Sequence, residues 1–221
     1  MNGFGLTNVE LRTERPADYC AAENMTREAF WNFYSPGCNE HYLLHIMRDC
    51  SAFVPELDIV AVHDGKIIGN IIYTKAVIAG DDGVEHGVLG MGPIAVLPEY
   101  QNKGVGGKLI AYTKNLARDM GYPAILLYGD PDYYCRHGFV PAEQFGIRTA
   151  DNMYAVAHQV CELRENVMSC ITGRYIEDAV YELDETAAAE FDKVFAQKER
   201  ILGTLSQKRF EQLVSMRKPA A

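Results

Sequence analysis

The hydrophobic pattern changes period several times along the chain, and each change marks an element. Val9 to Arg12 reads as a short strand. Pro16 opens a helical stretch to about Trp31, since a proline in the first turn has no N–H to leave unpaired. Ser35-Pro36-Gly37 breaks that helix, and Glu40 to Cys50 predicts a second. Leu57 to Val62 and Lys66 to Ile78 are apolar and rich in β-branched residues. Asp64-Gly65 between them is a strong hairpin signal. After the turn at Asp81-Asp82-Gly83, His86 to Val96 predicts another strand, so three consecutive antiparallel strands are expected.

Beyond Pro98 the period lengthens. Gly106 to Met120 places Leu109, Ile110, Thr113, Leu116 and Ala117 on one helical face. Gly121-Tyr122-Pro123 ends that helix, and Ala124 to Tyr128 has the short apolar run of a strand buried on both faces. Strand, helix and strand together predict a parallel crossover joined to an antiparallel meander. Asp130 to His137 predicts one helical turn. Phe139 to Thr149 and Met153 to Leu163 predict a closing pair of strands, the second ambiguous between strand and helix. Ala187 to Arg200 and Ser206 to Met216 have the pattern of charged amphipathic helices.

The 221-residue length suits one domain, or one domain with an extension, and such a chain buries roughly 70% of its unfolded surface. Its six cysteines form no CxxC pair, and Met1 to Cys20 has no basic start followed by an apolar run. The expectation is a cytoplasmic protein with reduced thiols, no signal peptide and no metal. No run approaches the ~20 apolar residues of a membrane span, so no membrane partner is expected. The net charge of −9 argues against a nucleic-acid partner and suits a cationic acceptor such as an amine.

Candidate chemistry concentrates in Leu97-Pro98-Glu99-Tyr100-Gln101-Asn102-Lys103-Gly104-Val105-Gly106-Gly107-Lys108-Leu109. A strand runs into a loop with three glycines, and a helix follows directly. Glycine lets main-chain N–H groups approach an anion without a Cβ in the way, and a helix start favours phosphate. Lys103 and Lys108 add charge. The loop lacks the Gly-Lys-Ser/Thr of a Walker A motif and the third glycine of a dinucleotide fingerprint. On spacing alone it is either an anion cradle or a tight turn that packs the helix on the strand.

Gln101-x-x-Gly104-x-Gly106 resembles the Gln/Arg-x-x-Gly-x-Gly/Ala signature of the GNAT superfamily of N-acetyltransferases. Ile94 to Glu99 resembles that family's fourth strand and following turn, and Tyr133 to Phe139 its Tyr-x-x-x-Gly-Phe segment. The likeness spans roughly Val9 to Leu163. The run Gly129 to Tyr134 resembles a bacterial subgroup whose substrates are poorly defined.

The resemblance implies an α/β (α+β) fold with a mixed, mostly antiparallel sheet, splayed between strands 4 and 5 and flanked by helices. The acetyltransferase domain would span 1–163, with 164–221 a helical extension packed on it. Acetyl-CoA would lie in the splay as co-substrate. The strand at Ile94, Ala95 and Val96 would hold its acetyl carbonyl and pantetheine arm, chiefly through the main chain of Ile94 and Val96. Gln101, Asn102, Lys103, Gly104, Val105, Gly106, Gly107 and Lys108 would hold its diphosphate. Tyr134 matches the general acid; packing before Gly138-Phe139 is its other reading. The implied activity is direct acetyl transfer to a primary amine of a small molecule or protein within a ternary complex. The alternative is a non-catalytic acyl-CoA-binding or sensing module on the same fold.

Two departures from the family stand out. Leu89-Gly90-Met91-Gly92-Pro93 lacks the acid that many members carry on strand 4, and Glu85 and His86 lie at its far end. Deprotonation through water, or an acceptor of lower pKa, would serve instead. Gly129-Asp130-Pro131 replaces an Asn that often contacts pantetheine, so Asp130 or the local backbone would substitute. Gly92-Pro93 predicts a bulge that turns N–H groups inward. A phenol near pKa 10 protonating a thiolate near 8.5 is uphill by about 2 kcal/mol, which favours hydrogen bonding to the departing sulfur over full transfer.

Other groups carry weaker signals. His41 and His45 are four apart without the Glu of HExxH, and read as surface or lid residues. Cys135 reads as a small hydrophobe. Trp31, Phe33 and Tyr34 line either an acceptor pocket or the core. The Glu165–Ala221 stretch covers the pocket, forms a homodimer contact, or does neither.

Overall fold

The computed structural model describes residue 6 and residues 8–220. Helices are Tyr19–Phe30 (α1), Glu40–Met47 (α2), Val105–Asp119 (α3), Pro131–Tyr134 (α4), Glu185–Asp192 (α5) and Leu205–Ser215 (α6). The first five strands are Glu10–Thr13 (β1), Ile59–His63 (β2), Lys66–Gly80 (β3), Glu85–Val96 (β4) and Ala124–Tyr128 (β5). Then come Val140–Pro141 (β6), Ile147–Arg148 (β7), Met153–Ala155 (β8), His158–Glu162 (β9), Gly173–Ile176 (β10) and Arg217–Pro219 (β11).

The main sheet runs β1-β2-β3-β4-β5-β9-β6, with β10 beside β3 and β7 beside β10. It is mixed and mostly antiparallel: β4–β5 and β7–β10 are its parallel pairs. The expected β2–β3 hairpin turns on Asp64 and Gly65 at φ 49° and 77°, a geometry that explains the glycine. β4 pairs with β5 only at Leu89↔Ile125 and Gly90↔Leu126, and beyond these rungs the two strands part.

Each face of the sheet has its own core. Leu89, Met91, Ile125 and Leu127 pack with Val105, Leu109 and Ile110 of α3. Val88, Ala124, Leu126 and Val160 pack on the other face with Tyr175 of β10. This two-sided burial explains the unbroken apolar run of β5.

Three sequence expectations need correction. Phe139–Thr149 is not one strand. After Pro141, which has no N–H to continue a ladder, Ala142–Phe145 forms a 3-10 turn closed by Gly146 at φ 66°. Met153–Leu163 divides into β8 and β9, and the ten-residue ladder between β9 and β5 settles its ambiguity in favour of strand. The predicted helix Ala187–Arg200 ends at Asp192. Trp31 Nε1 and Asn32 Nδ2 donate to Glu199 O at 2.8 and 3.0 Å, and Ile201 N donates to Asn32 Oδ1, so side chains of the α1 end hold this stretch extended.

Residues after Leu163 are woven into the sheet. β10 pairs with Val77–Gly80, along the edge of β3 that β2 occupies nearer its start. Asp192 of α5 forms an ion pair with Arg27 of α1 at 2.6 Å.

Candidate active site

Where β4 leaves β5, its edge toward the splay carries no partner strand. On its other side β4 stays paired with β3 through Ile71↔Ile94, Asn70↔Ala95 and Gly69↔Val96. Leu97 N donates to Ile68 O, so the antiparallel alternation aims the main-chain groups of Ala95 at β3 and those of Ile94 and Val96 into the splay. Ala95 itself contributes its buried side chain to the α3-side core. The register shift between Ile71 and Tyr73 is the bulge expected at Gly92-Pro93, and Gly92 has φ 134°.

The glycine loop follows. Gln101 Nε2 donates to Val96 O at 3.0 Å and ties the loop to the strand end. Asn102 at φ 58° and Gly104 at φ 83° are left-handed, and Gly104 is the N-cap of α3. None of the N–H groups of residues 102–107 makes a well-formed hydrogen bond within the tight turn at 101–104, whereas Lys108 N closes the first helical bond to Gly104 O. Main-chain N–H groups at a helix start are suited to receive an anion. Lys103 is exposed, its ammonium 5.3 Å from the Tyr100 ring centroid. Lys108 differs: its ammonium donates to Leu6 O at 2.7 Å.

The glycines serve a second purpose that the sequence did not reveal. A Cβ on Gly106 would lie 2.5 Å from the Tyr133 hydroxyl, and one on Gly107 3.0 Å from the His137 ring. The α4 segment therefore packs directly on the start of α3. Lys114 holds it there by donating to His137 O at 2.8 Å, and the Arg136 guanidinium lies 5.4 Å from the Tyr133 centroid.

Tyr134 ends α4. Its ring lies over Gly129, where a Cβ would come within 2.2 Å, and meets Phe139 edge-on at 5.6 Å. The residue is half-buried, and its hydroxyl has no hydrogen-bond partner among the described residues. Burial, reinforced by the phenols of Tyr34, Tyr133 and Tyr73, pushes its pKa well above the ordinary value. Asp130 caps α4 through Asp132 N and takes two bonds from Arg209 of α6 at 2.8 and 2.9 Å. Those bonds occupy the carboxylate considered above for the pantetheine contact.

Tyr34 packs on Phe30, Phe33 and Phe210, and burial raises its phenol to about 12. His41 is fully buried with Nε2 3.1 Å from Asp192, and burial lowers its pKa to about 4. His45 meets Glu23 at 2.9 Å. No group of three His, Cys, Asp or Glu among the described residues is placed to hold a metal ion.

Comparison with known proteins meets this geometry. Residues 55–141, which run from the turn before β2 to β6, match the family Acetyltransferase (GNAT) domain. Over residues 55–141 the chain matches a GNAT acetyltransferase domain. An 89-residue stretch is 40% identical to the uncharacterized N-acetyltransferase YjhQ of Escherichia coli K12, covering 39% of this chain and 48% of that protein. The match thus spans about half the length of that relative. The uncharacterized N-acetyltransferase YhbS of E. coli is 28% identical over 164 residues, covering 74% of this chain and 92% of the relative. The crystal structure of YhbS in complex with CoA shares the GNAT fold with a TM-score of 0.70 at 24% identity, covering 79% of this chain and 92% of that one. A GNAT family acetyltransferase from Brucella melitensis, solved with acetyl-CoA, aligns with a TM-score of 0.64 at 27% identity, over 80% of this chain and 99% of that one.

Proposed function

We propose that this protein transfers an acetyl group from acetyl-CoA to a primary amine, with both bound at once. The observation that supports this reading is the parting of β4 from β5 after Gly90, with the glycine loop following β4 and Tyr134 following β5. The solved relatives named above hold CoA or acetyl-CoA, which supports the same co-substrate here.

The residues present fit such a ligand. The 102–107 donors and Lys103 would take the diphosphate, which needs a local cationic site in a chain of net charge −9. Ile94 and Val96 would bond the pantetheine arm as an added strand would, and a main-chain N–H beside the Gly92 bulge would favour negative charge building on the acetyl oxygen. Tyr134 stays protonated at neutral pH. It would donate a hydrogen bond to the departing sulfur, since complete transfer from a phenol of raised pKa to a thiolate is uphill by more than about 2 kcal/mol. In this reading the acceptor is a small-molecule or protein amine, the setting is cytoplasmic, and neither nucleic acid, membrane nor metal takes part.

The test is free-thiol release from acetyl-CoA across a panel of primary amines. Amine-dependent release is expected. Binding of acetyl-CoA without turnover of any amine would identify a sensing module and overturn the reading.

A further inference from the structure

We propose that one proton shared by Asp58 and Glu14 locks the α1–α2 helix pair to the sheet, and that its loss at alkaline pH releases the pair.

Glu14 follows β1 and Asp58 precedes β2. Glu14 N donates to Asp58 O at 2.9 Å, which carries the β1–β2 ladder one residue beyond Thr13↔Ile59. The two carboxyls therefore stand opposite each other, within hydrogen-bonding reach. Like charges placed opposite on paired strands repel. Here both groups are also out of water: the Glu14 side chain is 1% exposed and Asp58 3%.

Arg48, at the end of α2, meets Glu14 with a fork. Nε donates to Oε2 at 2.9 Å and Nη2 to Oε1 at 3.0 Å. The remaining nitrogen, Nη1, donates to Glu23 of α1 at 2.5 Å. His45 Nδ1 lies 2.9 Å from the same Glu23 oxygen, and the Tyr19 ring lies 4.0 Å from the guanidinium. Two strands and two helices thus join at a single arginine.

The hydrogen bonds themselves place the proton. Asn70 Nδ2, from β3, donates to Asp58 Oδ1 at 2.9 Å and to Ile59 O at 3.3 Å. A carbonyl oxygen only accepts, so this end of the amide is the nitrogen, and Asp58 Oδ1 is an acceptor. Both Glu14 oxygens accept from Arg48. Asp58 Oδ2 is the carboxyl oxygen of the pair that takes no bond from an N–H among the described residues, and it is the one left to carry a hydrogen. A proton there donates to the Glu14 carboxylate. Without it, two buried anions face each other with nothing between them.

The charges agree with this placement. Three carboxyls, those of Glu14, Glu23 and Asp58, surround one guanidinium. Burial is the largest influence on both Glu14 and Asp58, and it makes the pair keep a proton well above the usual carboxylate range. Asp18, held by Arg12 at 2.6 Å, acts on Asp58 in the same direction.

With the proton in place, a chain of hydrogen bonds runs from Asn70 through Asp58, Glu14 and Arg48 to Glu23. When the proton passes to solvent, the link between Asp58 and Glu14 becomes a repulsion, and Glu14 and Arg48 part from the sheet together. α1 leads at its far end into Trp31–Tyr34, and Tyr34 packs in the same core as Tyr134. The joint therefore sets how that segment meets the cleft.

Asp58→Asn tests this. Its Nδ2 would donate to Glu14 where the acid did, and its Oδ1 would still accept from Asn70, so the joint stays closed at every pH. Amide exchange is followed by mass spectrometry from pH 6 to 9.5, with labelling times matched to the intrinsic rates. The open form releases a proton that the closed form keeps, so rising pH favours opening. In wild type, protection over residues 19–47 is expected to fall about tenfold or more relative to β4 and β5. In Asp58→Asn the fall is expected to stay under about twofold. Other titrating groups, Glu177 among them, contribute alike to both proteins. Infrared spectra at pH 8 give a second measure: one acid C=O band of wild type is expected to be missing from Asp58→Asn. Equal loss of protection in the two proteins, or identical acid bands, would overturn the proposal.

Discussion

The Tyr133 hydroxyl rests against the α-carbon of Gly106, at the start of α3, leaving no room for a side chain between them. Gly106→Ala must therefore displace Tyr133, and with it the α4 segment that packs on the loop. Overpacking of this kind costs about 1–3 kcal/mol, so CoA affinity is expected to fall about tenfold or more by calorimetry. Adding Tyr133→Phe should recover part of the loss, because the ring carbon that remains would be 3.8 Å from the new Cβ.

Tyr134→Phe removes the hydroxyl and leaves the ring packing on Gly129 and Phe139. The expected result is a fall in kcat of about 10²–10⁴ with little change in CoA affinity. Wild-type turnover in steady-state kinetics would remove Tyr134 from the reaction.

Arg209 of α6 grips Asp130 with two nitrogens and reaches Asp132 at 2.7 Å, so a distant helix sets the position of α4. Arg209→Ala is expected to lower kcat several-fold, since small misplacements of a reacting group are costly, while acetyl-CoA still binds. High salt should weaken wild type in the same direction, because the pair is partly exposed.

Glu177 is expected to reveal itself in stability. Its folded pKa of about 7 exceeds the usual carboxylate value near 4.3. Between those values the unfolded chain releases a proton that the folded chain keeps, so the destabilisation grows with pH and is complete above about 7. Glu177→Gln should melt several degrees above wild type at pH 8 and close to it at pH 4.5.

The histidines act in the opposite sense. His41 and His158 are held near pKa 4 by burial, below the unfolded value of about 6.5. Their neutral forms support the fold fully above 6.5, and that support is lost as pH falls toward 4, by about 1–3 kcal/mol for each. Thermal melts should show a shallower acid slope in His158→Gln.

The meander, the β2–β3 turn, α3 and the glycine loop were legible in the sequence because each depends on neighbours a few residues away. Asp64-Gly65 needs only its own dihedral angles, and the α3 face needs only its period. The same local logic failed after Phe139, where Pro141 and Gly146 cut the run into short strands, and after Asp192, where Trp31 and Asn32 hold the backbone extended. Contacts such as Tyr133 with Gly106, Arg209 with Asp130 and Tyr175 with Gly90 join residues 27, 79 and 85 positions apart. No periodicity in one sequence encodes them.

Because β10 lies beside β3, out of chain order, the two ligands would draw on different stretches of polypeptide. Residues up to Phe139 would grip the nucleotide carrier, while the stretch from β10 onward abuts the bulged part of β4 through Tyr175 and Tyr181. Mutation can then remodel the second stretch and change which molecule is modified, with the thioester end left intact. A fold arranged this way can diversify its clientele by editing its later residues alone.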